Sequence, residues 1–466
     1  MQSQLPRALV LLVSLLLCQG ACGMVELPPQ ATSPTSVPDS APPSAIAVPS
    51  TEPASAAALT PPPTPTPAVP TDPPTPVQLI PPVDVPVPVH VPVDPPVSVD
   101  PPVPVPVPTP APAPPVLGPS SIGPEPKWIT YVGRYDLSRP GMARISWPGV
   151  SLLANFVGTS LTVRMDEETP GAAEPVRHNF YGVYVDDQLT VFETTGATQV
   201  YPIASNLSPG KHTVRIVKRN DPSVGTGQFL GMQTSDDGNF LLPPAPLSRR
   251  IEFIGASSVT GWGADSGGTK CTYAQIFASS NPDHAIAKMT ADLLDADSMN
   301  TSYSGKGISR NSSAADTVKT IPFMYNRITP DDSNTPKWDF RGWQADVVVV
   351  DAGGVDYNFW PNVDVSAFES NYIAYIADIR AKYPLAVIYM ALDTRNSGPE
   401  GIAFQLELKK LAAQIAVPNA NIFYWEFPKY DYATYGSGCS LHPNEAGTTV
   451  NANALATELK KRMGWQ

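Results

Sequence analysis

The sequence contains little cysteine, histidine and charge for its length. Its 466 residues include four cysteines and five histidines, and 15% of them are charged. Acidic residues outnumber basic ones by 42 to 30, a formal net charge of −12, which argues against a nucleic-acid partner because such a partner requires a basic face. The apolar run at residues 8–17 is too short to span a bilayer, and no other stretch is long enough. No cluster of ligand residues indicates a metal, and we expect no cofactor.

The first 23 residues have the organisation of an export signal. Arg7 supplies a positive charge, residues 8–17 form the apolar segment, and small residues follow. A lipid-anchored Cys22 is the weaker interpretation, because Gln19 stands where an aliphatic residue is expected before the cysteine. We therefore expect a signal peptide at residues 1–23 and a secreted, extracellular protein, with a surface anchor as the alternative.

Residues 24–126 form a proline-rich segment of low complexity. Proline accounts for 57 residues of the chain and is concentrated before residue 127. A segment dominated by Pro, Val, Thr, Ala and Ser cannot bury a core and favours extended polyproline II. We interpret it as a disordered spacer that holds the folded part away from the cell or an anchor.

Residues 127–245 differ abruptly in composition and predict an all-β domain. Short alternating segments occur at 160–165, 181–185 and 212–217, with turn-forming residues between them. The stretch shows no convincing helical pattern. It therefore favours a β-sandwich of the jelly-roll type.

Residues 246–466 predict a three-layer α/β domain with a parallel sheet. The candidate strands are 251–254, 299–303, 347–351, 387–392 and 422–425, and the candidate helices are 285–295, 368–382, 402–415 and 444–463. The four valines at 347–350 are apolar on both faces, as in a central parallel strand. Ligands bind such folds at the carboxyl ends of the strands.

Ser257 stands at one of these strand ends. It follows Gly255 in a turn of small residues and glycines, a placement that exposes a hydroxyl for nucleophilic attack. The alternative is a buried turn between strand and helix that merely tolerates a serine. A nucleophilic serine needs a base, which is usually histidine.

Two of the five histidines lie in the α/β domain. His284 is at the start of a helix, where we expect it to be solvated, and His442 lies in a loop that leads into the last helix. His442 is therefore the candidate base. The alternative is a surface histidine at a helix start.

Cys271 and Cys439 remain after removal of the predicted signal peptide. Two cysteines in an oxidising compartment can pair, and a disulfide would tether the loop of His442 to that of Ser257. It would close a loop of about 170 residues, worth roughly 4–5 kcal/mol in chain entropy. The alternative is two free buried thiols.

Two glycine-containing loops complete the constellation. Residues 303–307 include Gly305 and follow one strand, and residues 351–356 follow the valine strand. Serine, two glycine loops and histidine in this order resemble the four sequence blocks of the SGNH (GDSL-type) hydrolases. Over residues 130–465 the chain more narrowly resembles carbohydrate esterase family 2, in which a jelly roll precedes the SGNH domain.

The resemblance implies a mechanism and a substrate class. Ser257 would be the nucleophile, His442 the base, and the amides of Ser257 and Gly305 the oxyanion hole. The substrate would be an acetylated plant-type polysaccharide or oligosaccharide, and the reaction would require no metal.

Three positions depart from the family pattern. Ala256 replaces the acid before the serine, Val355 replaces an oxyanion-donating asparagine, and Ser440 replaces the acid that orients the histidine. Loss of one oxyanion donor typically lowers turnover about a hundred- to a thousandfold, and loss of a triad acid can lower it about ten-thousandfold. A backbone carbonyl, or more weakly Ser440, can instead orient His442.

These residues support three functional hypotheses. The first is a secreted carbohydrate O-deacetylase, a carboxylic ester hydrolase weakened by the three substitutions. The second is a catalytically inactive polysaccharide-binding protein. Four aromatic residues near the cleft loops would then stack on sugar faces: Trp262, Tyr357, Phe359 and Trp360. The alternative for each of them is a place in the hydrophobic core. The third is the same chemistry on a lipid or aryl ester.

Overall fold

The structure is a computed structural model that describes residues 116–168, 177–360, 362–395, 398–417 and 421–466. The predicted signal peptide and nearly all of the proline-rich segment lie outside the described residues. Within these ranges, no helix is long and apolar enough to cross a membrane.

The N-terminal part of the described chain forms two antiparallel sheets, which confirms the predicted all-β fold. Its strands are β1 (Ser121–Ile122), β2 (Thr130–Val132), β3 (Tyr135–Asp136), β4 (Ala143–Ile145), β5 (Ser151–Val157), β6 (Leu161–Glu168), β7 (Phe180–Val185), β8 (Gln188–Glu193), β9 (Gln199–Ala204), β10 (Lys211–Lys218), β11 (Thr226–Thr234) and β12 (Asn239–Leu241). One sheet has the order β3-β4-β11-β6-β9, with β1 paired to β11. The other has the order β12-β5-β10-β7-β8, with β2 paired to β5.

Alternating side chains along the strands build the core of this sandwich. In β6, Leu161, Val163 and Met165 are buried, whereas Arg164 between them is exposed. Successive strand residues point to opposite faces of a sheet, so this period of two directs one face of β6 into the core. Phe229 of the neighbouring strand β11 is buried in the same cluster.

The C-terminal part is a parallel sheet covered by helices. Its strands are β13 (Arg249–Gly255), β14 (Ala296–Ser302), β15 (Val347–Asp351), β16 (Val387–Leu392) and β17 (Ile422–Glu426). The helices are α1 (Ser257–Thr260), α2 (Tyr273–Ser279), α3 (Ile286–Asp292), α4 (Ile321–Met324), α5 (Gly354–Asn358), α6 (Val365–Lys382), α7 (Gly398–Ala416), α8 (Tyr432–Tyr435) and α9 (Glu445–Met463), with 3₁₀ turns at Pro282–His284 and Cys439–Leu441.

The strand order is β14-β13-β15-β16-β17, with all pairs parallel. The order reverses between β13 and β15, and doubly wound sheets bind ligands beyond the carboxyl ends of the strands at such a switch point. Alternate valines of β15 face opposite helical layers. Val348 and Val350 pack with α6 and α7, whereas Val347 and Val349 pack with α3 and α9. The predicted three-layer fold is confirmed.

The observed elements differ from the predicted ones mainly at their ends. Helix α6 begins at Val365, before the predicted residue 368, because the Asp364 carboxylate accepts the Ala367 amide and caps the helix. Helix α3 ends at Asp292, before the predicted residue 295. Asp295 has a φ of 47°, which is incompatible with a continuing right-handed helix.

A buried ion pair joins the sandwich to the parallel sheet. Arg134 Nη2 donates to Glu252 Oε1 at 2.8 Å, and neither side chain is exposed. Glu252 also accepts from the Thr301 hydroxyl at 2.6 Å and the Tyr325 hydroxyl at 2.8 Å. A buried carboxylate with this many donors is compensated, whereas the loss of its cation would leave an unpaired buried charge. The pair therefore holds the sandwich against β13, the strand that leads to Ser257.

Candidate active site

Ser257 is placed at the carboxyl edge of the sheet by a turn that needs glycine at residue 255. A Cβ atom on Gly255 would lie 2.6 Å from the Asp351 carbonyl oxygen and 2.5 Å from the Val259 side chain. The chain passes through Ala256, and Ser257 begins helix α1. Ser257 lines a cleft of about 750 Å³, as do His442 and Gly305.

His442 lies beside Ser257, although 185 residues separate them in the chain. Its Nε2 atom is 2.7 Å from Ser257 Oγ, and its Nδ1 atom is 2.9 Å from the carbonyl oxygen of Cys439. Because a carbonyl oxygen can only accept, Nδ1 carries the proton and Nε2 presents a lone pair to the serine hydroxyl. The other histidine of this domain, His284, instead pairs through Nδ1 with Asp265 at 2.6 Å.

A disulfide fixes the loop that carries His442. Cys271 and Cys439 are bonded, with their Cα atoms 5.7 Å apart. The Cys439 amide also donates to the Gly263 carbonyl at 3.1 Å, and Gly263 belongs to the turn that follows Ser257. The two cysteines identified from the sequence thus connect the histidine loop with the segment after the serine.

The environment of His442 keeps its imidazole neutral. Burial lowers its pKa, and the nearby Arg395 guanidinium lowers it further. The hydrogen bond to the Cys439 carbonyl and the charge of Asp393 offset only part of this effect, so the pKa falls to about 4. A neutral imidazole with a free Nε2 lone pair is the form that can accept a proton from a hydroxyl group.

The loop of residues 303–307 lines the cleft and contains one amide without an acceptor among the described residues. The amides of its other residues donate at 2.9–3.3 Å to the Gly255 carbonyl, the Asp221 carboxylate, the Tyr303 carbonyl and the Asn311 side chain. Within the described chain the Gly305 amide has no acceptor. Gly305 has a φ of 74°, a conformation that glycine adopts without strain. The Ser257 amide, in the first turn of α1, also lacks an acceptor among the described residues.

Asp356 anchors the stretch that follows this loop. Its carboxylate accepts the amides of Ile308, Ser309 and Arg310 at 2.7–2.8 Å. Burial raises the pKa of Asp356 to about 6, although these amide donors act in the opposite direction. Asp356 is the last residue of the loop at 351–356. It therefore fixes the segment that directly follows the other glycine loop, at 303–307.

The three departures from the family pattern have distinct structural outcomes. Ala256 precedes α1 and provides no side-chain cap. Val355 is buried in α5 and brings no hydrogen-bond donor. Of the two groups expected to orient His442, a backbone carbonyl and more weakly Ser440, it is the Cys439 carbonyl that bonds to Nδ1. Ser440 is exposed, with a φ of 54°.

The predicted sugar-binding aromatic residues lie in different environments. Trp262 lines the cleft, as does the exposed Phe359. The prediction for Tyr357 is wrong, because its ring is buried against Phe368 and Phe404 in the core. Trp360 is not among the cleft-lining residues. The Arg310 guanidinium covers its ring at 3.5 Å, and its Nε1 atom donates to the Asn311 carbonyl.

Arg395 is a component of the site that the sequence analysis missed. Its Nη1 atom donates to the Leu441 carbonyl at 2.8 Å, next to His442. Its guanidinium also pairs with Asp393 and donates to the Ser258 hydroxyl. The Arg395 side chain therefore links three segments: the end of β16, the turn that contains Ser257 and Ser258, and the loop that carries His442. The available signal was the position of Asp393 and Arg395 directly after a predicted strand, at the edge where ligands bind.

The site brings together a serine hydroxyl, a neutral imidazole and two amides without acceptors among the described residues. These are the groups that ester hydrolysis by a serine requires. Among the described residues, no group of three or more His, Cys, Asp or Glu side chains is arranged to hold a metal ion. The cleft is lined by both parts of the structure, since Arg177 and Ser223 come from the sandwich.

Comparison with known proteins agrees with this architecture. A carbohydrate esterase 2 N-terminal family model matches residues 131–244, and a GDSL-like lipase/acylhydrolase family model matches residues 253–450. Residues 253–450 therefore form a GDSL-like (SGNH) domain. In its two-part organisation the chain resembles the carbohydrate esterases of family 2.

Individual relatives show the same likeness. The cellulase/esterase CelE of Acetivibrio thermocellus is 30% identical over 346 residues, which are 72% of this chain and 40% of that protein. This chain thus spans less than half of that relative. An acetylxylan esterase/glucomannan deacetylase of Cellvibrio japonicus is 28% identical over 70% of this chain and 88% of its own length.

Solved structures extend the likeness to three dimensions. A family two carbohydrate esterase from Clostridium thermocellum, in complex with cellohexaose, has a TM-score of 0.67 at 27% identity. The match covers 72% of this chain and 100% of that one. A family two carbohydrate esterase from Cellvibrio japonicus has a TM-score of 0.65 at 20% identity, with 74% and 98% covered; at that identity it shows the fold alone.

Proposed function

We propose that this protein is an exported carbohydrate esterase that removes O-acetyl groups from a polysaccharide through a Ser257–His442 dyad. The observation that carries the proposal is the 2.7 Å contact between His442 Nε2 and Ser257 Oγ, in a cleft that also presents the free Gly305 amide. The names of its relatives, acetylxylan esterase and glucomannan deacetylase, support acetylated xylan or glucomannan as the substrate.

The first half-reaction transfers the acetyl group to the enzyme. Ser257 Oγ attacks the acetyl carbonyl carbon while His442 Nε2 takes the hydroxyl proton. The carbonyl oxygen becomes an oxyanion, and the amides of Ser257 and Gly305 stabilise it. As the bond to the sugar oxygen breaks, Nε2 returns the proton to that oxygen, and the deacetylated sugar leaves.

The second half-reaction restores the serine. A water molecule gives its proton to His442 Nε2 and attacks the acetyl-enzyme carbonyl. The same two amides bind the second oxyanion. Collapse of this intermediate breaks the bond to Ser257 Oγ, returns the proton from Nε2 to the serine, and releases acetate.

The Cys439 carbonyl performs the orienting part of a triad acid. It holds the Nδ1–H tautomer and the ring position, which account for a large share of what the acid contributes in a triad. A neutral carbonyl stabilises the transient imidazolium less than a carboxylate does. Together with the missing donor at Val355, this supports an enzyme with a low turnover rate.

We further propose that residues 1–23 are a signal peptide, that residues 24–126 are a spacer, and that 127–245 and 246–466 are the two folded domains. The disulfide between Cys271 and Cys439 supports an oxidising, extracellular location, because disulfides persist outside the reducing cytosol.

A catalytically inactive polysaccharide-binding protein is the second candidate. The specific observation in its favour is Val355, which brings no donor at the position where the family pattern has asparagine. Trp262 and Phe359 would then bind sugar rings in the cleft without chemistry. Against this candidate stand the intact serine–histidine contact and the free Gly305 amide.

The deciding experiment measures release of acetate from acetylated xylan and acetylated glucomannan, and hydrolysis of 4-nitrophenyl acetate and of a long-chain 4-nitrophenyl ester. The purified protein is compared with Ser257→Ala and with Ser366→Ala, a serine exposed on α6. We expect Ser257→Ala alone to abolish acetate release. Equal rates for all three proteins, with retained binding to polysaccharide, would establish the binding protein. A preference for the long-chain ester would favour lipid esters.

A further inference from the structure

The sandwich contributes a buried carboxylate to the loop that carries Gly305. Asp221 lies three residues after the end of β10 and is 2% exposed. Its Oδ2 atom accepts the amide of Ser304 at 2.9 Å, and its Oδ1 atom accepts the amide of Ser223 at 2.9 Å. The residue next to Gly305 is therefore held by the other half of the molecule.

The segment around Asp221 is itself anchored to the α/β part. The preceding Arg219 donates from Nε to the Ser280 carbonyl at 2.9 Å and pairs with Asp265 at 2.6 Å. Asn220 donates to the Phe277 carbonyl at 2.8 Å. Three consecutive residues of the sandwich thus contact three separate segments around the cleft, which leaves the Asp221 carboxylate little freedom to move.

The buried Lys218 supports this segment from the sandwich side. Its Nζ atom donates to the Asn220 carbonyl at 2.6 Å and to the Asp221 carbonyl at 3.4 Å. Burial lowers the pKa of Lys218 to about 7, and the negative charge of Asp221 opposes this shift. The Asp221 carboxylate is itself compensated by the amides of Ser304 and Ser223.

Hydrogen bonds on either side of the Ser304–Gly305 peptide restrain the direction of the Gly305 amide. Peptide groups are planar, so the Gly305 N–H turns with this peptide. Asp221 holds the peptide group before it through the Ser304 amide, and the Ser312 amide holds the group after it by donating to the Gly305 carbonyl at 2.8 Å. Loss of the Asp221 contact would leave the preceding peptide group restrained only by the Lys306 amide, which donates to the Tyr303 carbonyl at 3.3 Å.

We propose that Asp221 is a positioning residue for the oxyanion hole, supplied by the sandwich, an inference that rests on the esterase function proposed above. It touches no substrate. It aims the Gly305 amide, and this matters more here than in a site with a third donor, since Val355 provides none. The sandwich is accordingly part of the catalytic apparatus and not only an attached domain.

The test compares Asp221→Asn and Asp221→Ala with Asp283→Asn in the full chain. Asp283 is a suitable control because it pairs across the same two parts of the molecule with Arg215, at 2.6 Å, and its hydrogen bonds go to Tyr184, Arg215 and Asn281, outside the 303–307 loop. We expect both Asp221 variants to lower kcat on 4-nitrophenyl acetate about ten- to a hundredfold, part of the effect of losing a whole donor. KM should change less than about twofold, and Asp283→Asn should keep kcat within about twofold.

Two further measurements separate the possible outcomes. Urea unfolding verifies that each variant is folded, and Asp221→Asn, which preserves shape, decides the matter if Asp221→Ala does not fold. Oligosaccharide binding in a Ser257→Ala background should be unchanged by Asp221→Asn if the residue acts on the transition state alone. Folded Asp221 variants with wild-type kcat would overturn the inference. A wild-type protein no faster than Ser257→Ala would instead reject the esterase function itself.

Discussion

The carbonyl oxygen of Cys439 lies 2.9 Å from Nδ1 of His442, and the same cysteine is bonded to Cys271. One residue thus orients the proposed base and ties its loop to the segment after the nucleophile. The orienting group is part of the backbone, so its position depends on the loop and not on a side-chain rotamer.

Removal of the disulfide should destabilise the protein more than it impairs its chemistry. For Cys271→Ser/Cys439→Ser, we expect a loss of about 2–5 kcal/mol in the free energy of unfolding, because the cross-link spans 168 residues. The Cys439 carbonyl remains in the double variant, so kcat at low temperature should fall less than about tenfold. Urea titration and initial rates measure the two effects, and dithiothreitol-treated wild type is the control. An unfolding free energy equal to that of wild type would contradict the prediction.

Val355→Asn should increase turnover. The substitution introduces an amide donor where the family pattern has asparagine, and one oxyanion donor is typically worth about a hundred- to a thousandfold. Because the side chain is buried and must adjust, we expect a rise in kcat of about tenfold or more, with little change in KM. Val355→Leu is the matched control without a donor. If both variants have the same kcat, the residue does not reach the oxyanion.

Ser440→Asp should change the pH profile more than the rate. Aspartate tolerates the positive φ of this exposed position better than most residues, and its carboxylate would raise the pKa of His442. Because the Cys439 carbonyl already holds the tautomer, we expect kcat at neutral pH to rise less than about fivefold. The acid limb of kcat/KM should move to higher pH. A gain of a thousandfold would show that the carbonyl does not orient the histidine.

Burial of His442 and the charge of Arg395 together should set the acid limit of activity. His442 acts as a base only when neutral, and its pKa of about 4 predicts that kcat/KM holds as pH falls and is lost near pH 4. Arg395→Gln removes the positive charge, so the pKa should rise toward the ordinary value of about 6.5 and activity should be lost at a higher pH. Arg462→Gln, on the exposed face of α9, should leave the profile unchanged.

The same pKa shift affects stability. Because the folded-state pKa of His442 lies below the ordinary value of about 6.5, the unfolded chain binds more protons between these values. The neutral histidine therefore contributes fully to stability above about pH 6.5, and that contribution declines as pH falls toward 4. In Arg395→Gln the decline should be smaller, which urea titrations at pH 7 and pH 4.5 can measure. An identical pH dependence in both proteins would argue against the influence of Arg395 on this pKa.

The periodicity of the sequence was sufficient for the fold. The valine run at 347–350 predicted a central parallel strand, and alternating segments such as 160–165 predicted the sandwich. These patterns are local consequences of burial, so they can be read without the tertiary structure. Helix ends were less accurate because a single cap, such as Asp364, shifts them.

For the proposed site, the sequence by itself identified the candidate serine, histidine and cysteine pair. The chain has only five histidines and four cysteines, whereas Ser257 stands out from the many serines because it lies in a glycine-rich turn at a strand end. Only the tertiary structure revealed four further features: the hydrogen bond from His442 Nδ1 to the Cys439 carbonyl, the burial of Tyr357, the hydrogen bond from Arg395 to the Leu441 carbonyl, and the contact of Asp221 with Ser304. These four depend on which loops meet at the sheet edge and at the sandwich. Such long-range contacts leave no periodic signal in the chain, since they arise from packing between segments that are far apart in sequence.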